Sequence, residues 1–281
     1  MLKAVYGALA AAAVACAAGC HPQSAPPRLP AVTNVQAAAE EAAEVEFVAL
    51  DDRGLTALPE ELAGLPSLWK LSLRGNSLAE LSGEIGALEG LRWLDVGENQ
   101  VTNIAPAIGR LQQLETLYLS DNQLERLPEE IGTLSALTYL NLDRNRLVEL
   151  PRSIGNLSAL KWLRLRENKL TALPVQIEGL TSLRRLYLAG NGLTSLPMAL
   201  GALASLTDLN LSRNALTEFP PAVLELESLE RLDLDGNQLT ALPAAIGKLD
   251  RLQWLRLKGN ALPEEEKDRL RRELPDCHIV F

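Results

Sequence analysis

The sequence predicts an α/β solenoid of about ten stacked repeats, each a short parallel strand and a return turn, with a cap at either end. Three observations carry that prediction. A motif recurs every 23 residues from about Ala42 to Leu262. Asparagine marks the period at Asn76, Asn99, Asn122, Asn145, Asn168, Asn191, Asn214, Asn237 and Asn260. Inside each motif leucine alternates with other residues at period two, as in Tyr139-Leu140-Asn141-Leu142-Asp143, which is the pattern of a strand with one buried face. Self-similarity at a fixed period of roughly 20–50 residues marks an array in which each unit touches only its neighbours.

Each position in the unit has a physical reason. Leu140 and Leu142 point to one side of the strand while Tyr139, Asn141 and Asp143 point to the other. Neighbouring strands then lie about 4.8 Å apart. Asparagine falls where the strand turns away. Its amide carries donors and an acceptor together, so a stacked column of asparagines can satisfy backbone groups that the turn leaves bare. The Leu-Pro step of the return, as in Leu127-Pro128, stops regular structure and removes an N–H. One unit buries too little apolar surface to offset the entropy of ordering its own chain, so stability must come from stacking.

The residues that carry the period, L-x-x-L-x-x-L-x-L-x-x-N-x-L, resemble those of the leucine-rich repeat family. Leu127-Pro128-Glu-Glu-Ile131-Gly132 is similar to that family's 23-residue L-P-x-x-I-G-x-L subclass. The resemblance runs from about Ala42 to Leu262 and implies a curved solenoid, with its parallel strands on the concave face and irregular or short helical turns on the convex one. It also implies recognition of a partner rather than catalysis.

In chain order, Met1 to Gly19 has one lysine, an apolar alanine-rich run and small residues before a cysteine, which reads as a signal peptide over 1–19. Ala17-Ala18-Gly19-Cys20 resembles the lipobox of bacterial lipoproteins, although Ala17 stands where that motif usually has leucine. The resemblance implies lipid on Cys20 and a membrane-anchored chain in the cell envelope. His21 after the cysteine favours the outer membrane by the same resemblance. Cleavage with secretion, or an uncleaved anchor, remain the alternatives. Residues 20–33 form a proline-rich tether, 34–44 a cap helix that opens after Thr33-Asn34, 45–262 the repeats and 263–281 a C-terminal cap. The first repeat carries Arg53 in place of asparagine, and terminal repeats are expected to deviate. Ser82 and Ala105 replace the proline of the Leu-Pro step, and Leu224 replaces the glycine that follows it; both read as tolerated variation on the outer side. Pro263 and the acids after it open a helix, and Leu270, Leu274, Ile279 and Phe281 are expected to close the core. Loss of Cys16 with the leader and acylation of Cys20 would leave Cys277 alone, as a small buried hydrophobe.

Catalytic chemistry is not indicated. His21 and His278 are the only histidines, and neither belongs to a triad or a metal-ligand spacing. No cofactor is implied, and Asn156 and Asn210 match a glycosylation pattern only as part of the repeat. The net charge of −9 argues against nucleic acid as a partner, because phosphate binding needs an excess of lysine and arginine.

The strand positions that face away from the leucines carry the candidate site. Trp93, Tyr118, Tyr139, Trp162 and Tyr187 fall on successive strands there and are expected to form one continuous aromatic stripe on an open face with no second layer to bury it. Arg164, Arg166 and Arg185 make a basic island beside it, with Asp95, Asp121 and Asp143 to one side and Asp208, Asp233 and Asp235 to the other. Trp254 stands apart at the far end beside Arg256 and Lys258. Exposed contiguous apolar surface marks interaction sites, and Trp, Tyr and Arg dominate interface energies. The leading expectation is a monomeric module that binds a protein or peptide on the concave face. An envelope carbohydrate, or a spacer role with no ligand, are the alternatives.

Overall fold

The computed structural model describes Thr33 and residues 42–281. The expected signal peptide, the lipid site at Cys20, the tether before Thr33 and the cap helix up to residue 41 lie outside the described residues. The end of that cap, Ala42–Glu44, is a 3-10 turn.

Each repeat contributes one three-residue strand. Among the described residues these build an eleven-stranded parallel sheet from β1 (Phe47–Ala49), β2 (Lys70–Ser72), β4 (Trp93–Asp95), β6 (Thr116–Tyr118), β7 (Tyr139–Asn141), β8 (Trp162–Arg164), β9 (Arg185–Tyr187), β10 (Asp208–Asn210), β11 (Arg231–Asp233), β12 (Trp254–Arg256) and β13 (His278–Val280), with the strands in chain order. The register repeats one unit at a time: Tyr139 opposes Trp162, Leu140 opposes Leu163 and Asn141 opposes Arg164. Columns read in the sequence are therefore rows in space. The leucine columns form the core; Leu117, Leu140, Leu163 and Leu186 are wholly buried.

The asparagine column is a hydrogen-bonded ladder. Asn145 Nδ2 donates to the carbonyls of Leu119 (2.8 Å) and Leu142 (3.1 Å), and its Oδ1 accepts from Leu124 N (3.1 Å). One side chain thus joins two turns that would otherwise leave buried backbone groups bare. The residue before each asparagine has positive φ, from 53° at Glu98 to 75° at Gly259. Four of the nine are glycine, for which that conformation is unstrained.

On the return side the repeats make 3-10 turns, such as Glu129–Thr133 after Pro128, each led by the proline except where Ser82 and Ala105 replace it. Glycine at the fourth turn position lets successive turns close up: a Cβ on Gly132 would overlap the backbone of Ser153. Substitution of the proline has a structural consequence. With an N–H restored at Ala105, that amide donates to Leu81 O (2.8 Å), and β3 (Glu80–Leu81) and β5 (Asn103–Ile104) form a second, two-stranded parallel sheet on the outer side. Pro128 has no N–H with which to extend it. Leu224 also matters. It is half-buried against the core, and the turn Pro221–Glu225 lies less closely on Ala244–Lys248 than the successive turns from Gly83–Ala87 to Pro221–Glu225 lie on one another.

The C-terminal cap is α1 (Glu264–Glu273) followed by β13. Leu270 and Leu274 are buried, while Ile279, Phe281 and Cys277 pack half-buried against the last leucines. Burial pushes the Cys277 thiol up to about 11, which keeps it protonated and unreactive at neutral pH. Arg269 ties the cap to the last repeat, donating to Leu242 O (2.8 Å) and pairing with Glu266 (2.6 Å) and Glu273 (2.5 Å). No helix among the described residues is long and apolar enough to cross a membrane.

Candidate recognition face

The face opposite the leucines is built from the first and third residues of each strand and the residue two beyond. Because strand neighbours are in register, aromatic rings in these columns meet edge to face or tilted. Trp93 and Tyr118 have ring centroids 5.6 Å apart, Tyr118 and Tyr139 5.0 Å, and Tyr139 and Trp162 5.8 Å. These fall within the range in which aromatic pairs attract beyond their area burial. Four rings therefore form one unbroken row across four consecutive repeats.

The row ends in cations rather than in more rings. The Arg185 guanidinium lies over Trp162 at 4.2 Å, and Arg166 lies over Tyr187 at 4.6 Å. Tyr187 thus joins the patch through arginines, and the aromatic contact expected to continue from Trp162 to Tyr187 is replaced by cation–π stacking. At the other end Lys70 Nζ sits between Phe47 (4.6 Å) and Trp93 (4.4 Å). Burial lowers the Lys70 pKa, and Asp51 and Asp95 offset only part of that. Lys70 was not among the residues singled out from sequence, although it shares a strand column with Phe47 and Trp93.

Two expectations need correction. The first was that an open face leaves the stripe unburied. Tyr139 is only 9% exposed, because Tyr118 and Trp162 cover its flanks; a row of large rings buries its own members sideways. Trp93, Tyr118, Trp162 and Tyr187 stay half-exposed.

The second concerns the basic island. Asp143, 1% exposed, lies beneath it. Arg164 donates to Asp143 through Nε (2.8 Å) and pairs through Nη2 (2.6 Å), and the Arg166 backbone N–H donates to the same carboxylate (2.8 Å). Arg185 faces Asp208 at 3.8 Å. The patch is positive on balance, but its arginines are held by acids from the preceding or following repeat. Burial alone would lower the Arg164 pKa; the Asp143 charge more than offsets it and keeps the guanidinium charged. The same clamp recurs where Asp235 holds Arg256 (Nε 2.9 Å) and the Lys258 N–H (2.7 Å). The Arg166 Nε is buried and has no hydrogen-bond acceptor.

Trp254 is the exposed member of the aromatic columns, at 46%. One edge of its ring meets His278, with centroids 4.5 Å apart. Its other side opens onto a depression of about 240 Å³ that reaches across β10 and β11 to Tyr187. Among the described residues no group of three His, Cys, Asp or Glu side chains is placed to hold a metal ion.

Known proteins share this architecture. A family model described as leucine-rich repeat region matches residues 128–215, and one described as leucine rich repeat matches 89–147 and 199–262. No curated protein matches the chain. Among solved structures, an LRR protein of Leptospira interrogans is 26% identical over 90% of this chain and 100% of its own, with a TM-score of 0.54. An internalin of Listeria monocytogenes is 25% identical over 89% of this chain and 71% of its own, with a TM-score of 0.77. The plant peptide hormone receptor RGFR1, solved in complex with RGF2, is 29% identical over 87% of this chain but only 44% of its own, with a TM-score of 0.66. The two family models together cover residues 89–262 without a gap, and the chain belongs to the leucine-rich repeat family.

Proposed function

We propose that the protein is a recognition module that binds a protein or peptide on its concave face, at the patch running from Trp93 to Tyr187. The observation that supports this reading is the ring row Trp93–Tyr118–Tyr139–Trp162, half-exposed except at Tyr139, with Arg185 stacked on its Trp162 end and Arg164 beside it held from below by Asp143. Preorganised aromatic and arginine groups lose little freedom on binding, which is how a small patch becomes an interface hot spot. Leucine-rich repeats commonly serve protein recognition, and one similar structure is a peptide hormone receptor in complex with RGF2. The test is to capture a partner with the purified chain and then compare variants by calorimetry. Trp162→Ala is expected to cost about 2 kcal/mol or more of binding free energy. Val175→Ala, exposed on the return side, should change nothing. Full affinity in Trp162→Ala would remove the patch as the site.

The reading extends to the N-terminus. Cys20, preceded by small residues, is the proposed point of lipid attachment that holds the module at the envelope. Cys20→Ser is expected to move the protein from the membrane to the soluble fraction and to abolish the acyl mass on the N-terminal fragment. Unchanged fractionation and mass would exclude the anchor.

A further inference from the structure

The concave face contains the same strand twice. Trp162-Leu163-Arg164-Leu165-Arg166 recurs four repeats later as Trp254-Leu255-Arg256-Leu257-Lys258. The acid clamp beneath it recurs too: Asp143 holds Arg164, and Asp235 holds Arg256, each at 2.6 Å at closest. What differs is the neighbour that fills the space in front of the tryptophan. In the first copy that space holds rings from the chain itself, Tyr139 against Trp162 and Tyr118 against Tyr139. Four repeats on, Arg231 stands in the column of Tyr139 and Asn210 in that of Tyr118.

Neither replacement fills the space. Arg231 turns toward Asp208 (3.1 Å), and Asn210 donates to Asp233 (3.2 Å). The depression of about 240 Å³ beside Trp254 is the result. Its volume lies below the roughly 300–1,000 Å³ typical of pockets for drug-sized molecules, so one ring-bearing side chain suits it better than a larger ligand.

We infer that this depression is a second binding site, and that it takes a tyrosine side chain of the bound polypeptide in the place that Tyr139 occupies beside Trp162. The ring would meet the open face of Trp254 at the separation aromatic pairs favour. The rim supplies what a phenol needs. The Arg256 guanidinium is there to donate, and the Asp233 carboxylate, half-buried at the rim, to accept from the hydroxyl. A leucine or a carboxylate uses only part of this set. Four strand spacings separate the two tryptophans, roughly 19 Å, a span that about six residues of extended polypeptide cover. This inference rests on the reading of the concave face as a peptide-binding surface, and it adds a second anchor point to that surface.

The test uses the full chain labelled with 15N at its tryptophans and titrated with blocked amino acids: N-acetyl-tyrosine amide, with the phenylalanine and leucine analogues as comparisons. The Trp254 indole N–H signal is expected to shift with the tyrosine probe, less with phenylalanine and not with leucine, while Trp162 stays still. Arg231→Tyr rebuilds the first copy in the second and should weaken the probe about tenfold while leaving the fold's thermal transition in place. No shift at Trp254, equal shifts with leucine, or undiminished binding in Arg231→Tyr would overturn the site. A shift at Trp162 alone would overturn it while leaving the central patch in force. Binding of the free blocked amino acid, but no loss of affinity for the captured partner in Arg231→Tyr, would show a small-molecule site and overturn the peptide assignment. The reading of the whole face is tested separately by Trp162→Ala on that partner, so the two can fail independently.

Discussion

Asn145 shows what a single residue does in this fold. Its amide makes bonds to two successive turns at once, and no apolar side chain of similar size can. Asn145→Leu is expected to leave a buried N–H and buried carbonyls unpaired and to lower stability by about 1–3 kcal/mol for each unsatisfied group. A urea melt checks this; a midpoint unchanged from the parent would refute the ladder. The asparagine's task was legible in the sequence because its chemistry and its period coincide. The residue before it was not. That column reads Gly75, Glu98, Asp121, Arg144, Glu167, Gly190, Arg213, Gly236, Gly259, a mixture with no composition of its own, yet every member has positive φ. Backbone handedness is imposed there by the stacked turn, and side chains then pair across repeats, Arg144 with Asp121 and Arg213 with Glu167.

At the level of elements, the strands could be read from the alternation of leucines, and with them the columns that bring Trp93, Tyr118, Tyr139 and Trp162 together. The side-chain arrangement above the strands could not. Periodicity fixes which face a residue is on, but not that three rings will bury the middle one or that Asp143 will sit under two arginines from the next repeat. The return turns show the same limit. Glycine recurs in them because the next turn's backbone arrives where a Cβ would be, and that depends on what the next repeat carries. Gly132 is backed by the carbonyl of Ser153, whereas a Cβ on Gly247 would meet only Glu273 O at 3.7 Å. Gly132→Ala should therefore force the turns apart at a cost of about 1–3 kcal/mol. Gly247→Ala should be neutral, or stabilise by about 0.4–1 kcal/mol through the less flexible unfolded chain. Thermal melts of the two variants measure the contrast. Equal losses would mean that the glycines serve backbone conformation and not turn-on-turn contact.

The whole molecule is a one-dimensional stack, so its weak points are its ends rather than its middle. Each internal repeat finds the same leucine surface above and below. Removal of one complete unit, residues 192–214, joins Asn191 to Ala215 in register and leaves every remaining repeat with a matching neighbour. The cap has no such redundancy. Without residues 263–281, Leu255, Leu257 and Leu262, now at most 7% exposed, lose the cover of Leu270 and Leu274, and the Leu242 backbone loses Glu266 and Arg269. Exposing even two buried leucines costs about 3 kcal/mol or more. Deletion of 192–214 is thus expected to keep one cooperative thermal transition close to the parent's, and to retain partner binding through the Trp93–Trp162 row. Deletion of 263–281 is expected to lower the transition markedly and to expose surface that binds a hydrophobic dye. If the internal deletion proved as damaging as loss of the cap, stability would be distributed globally rather than passed from neighbour to neighbour.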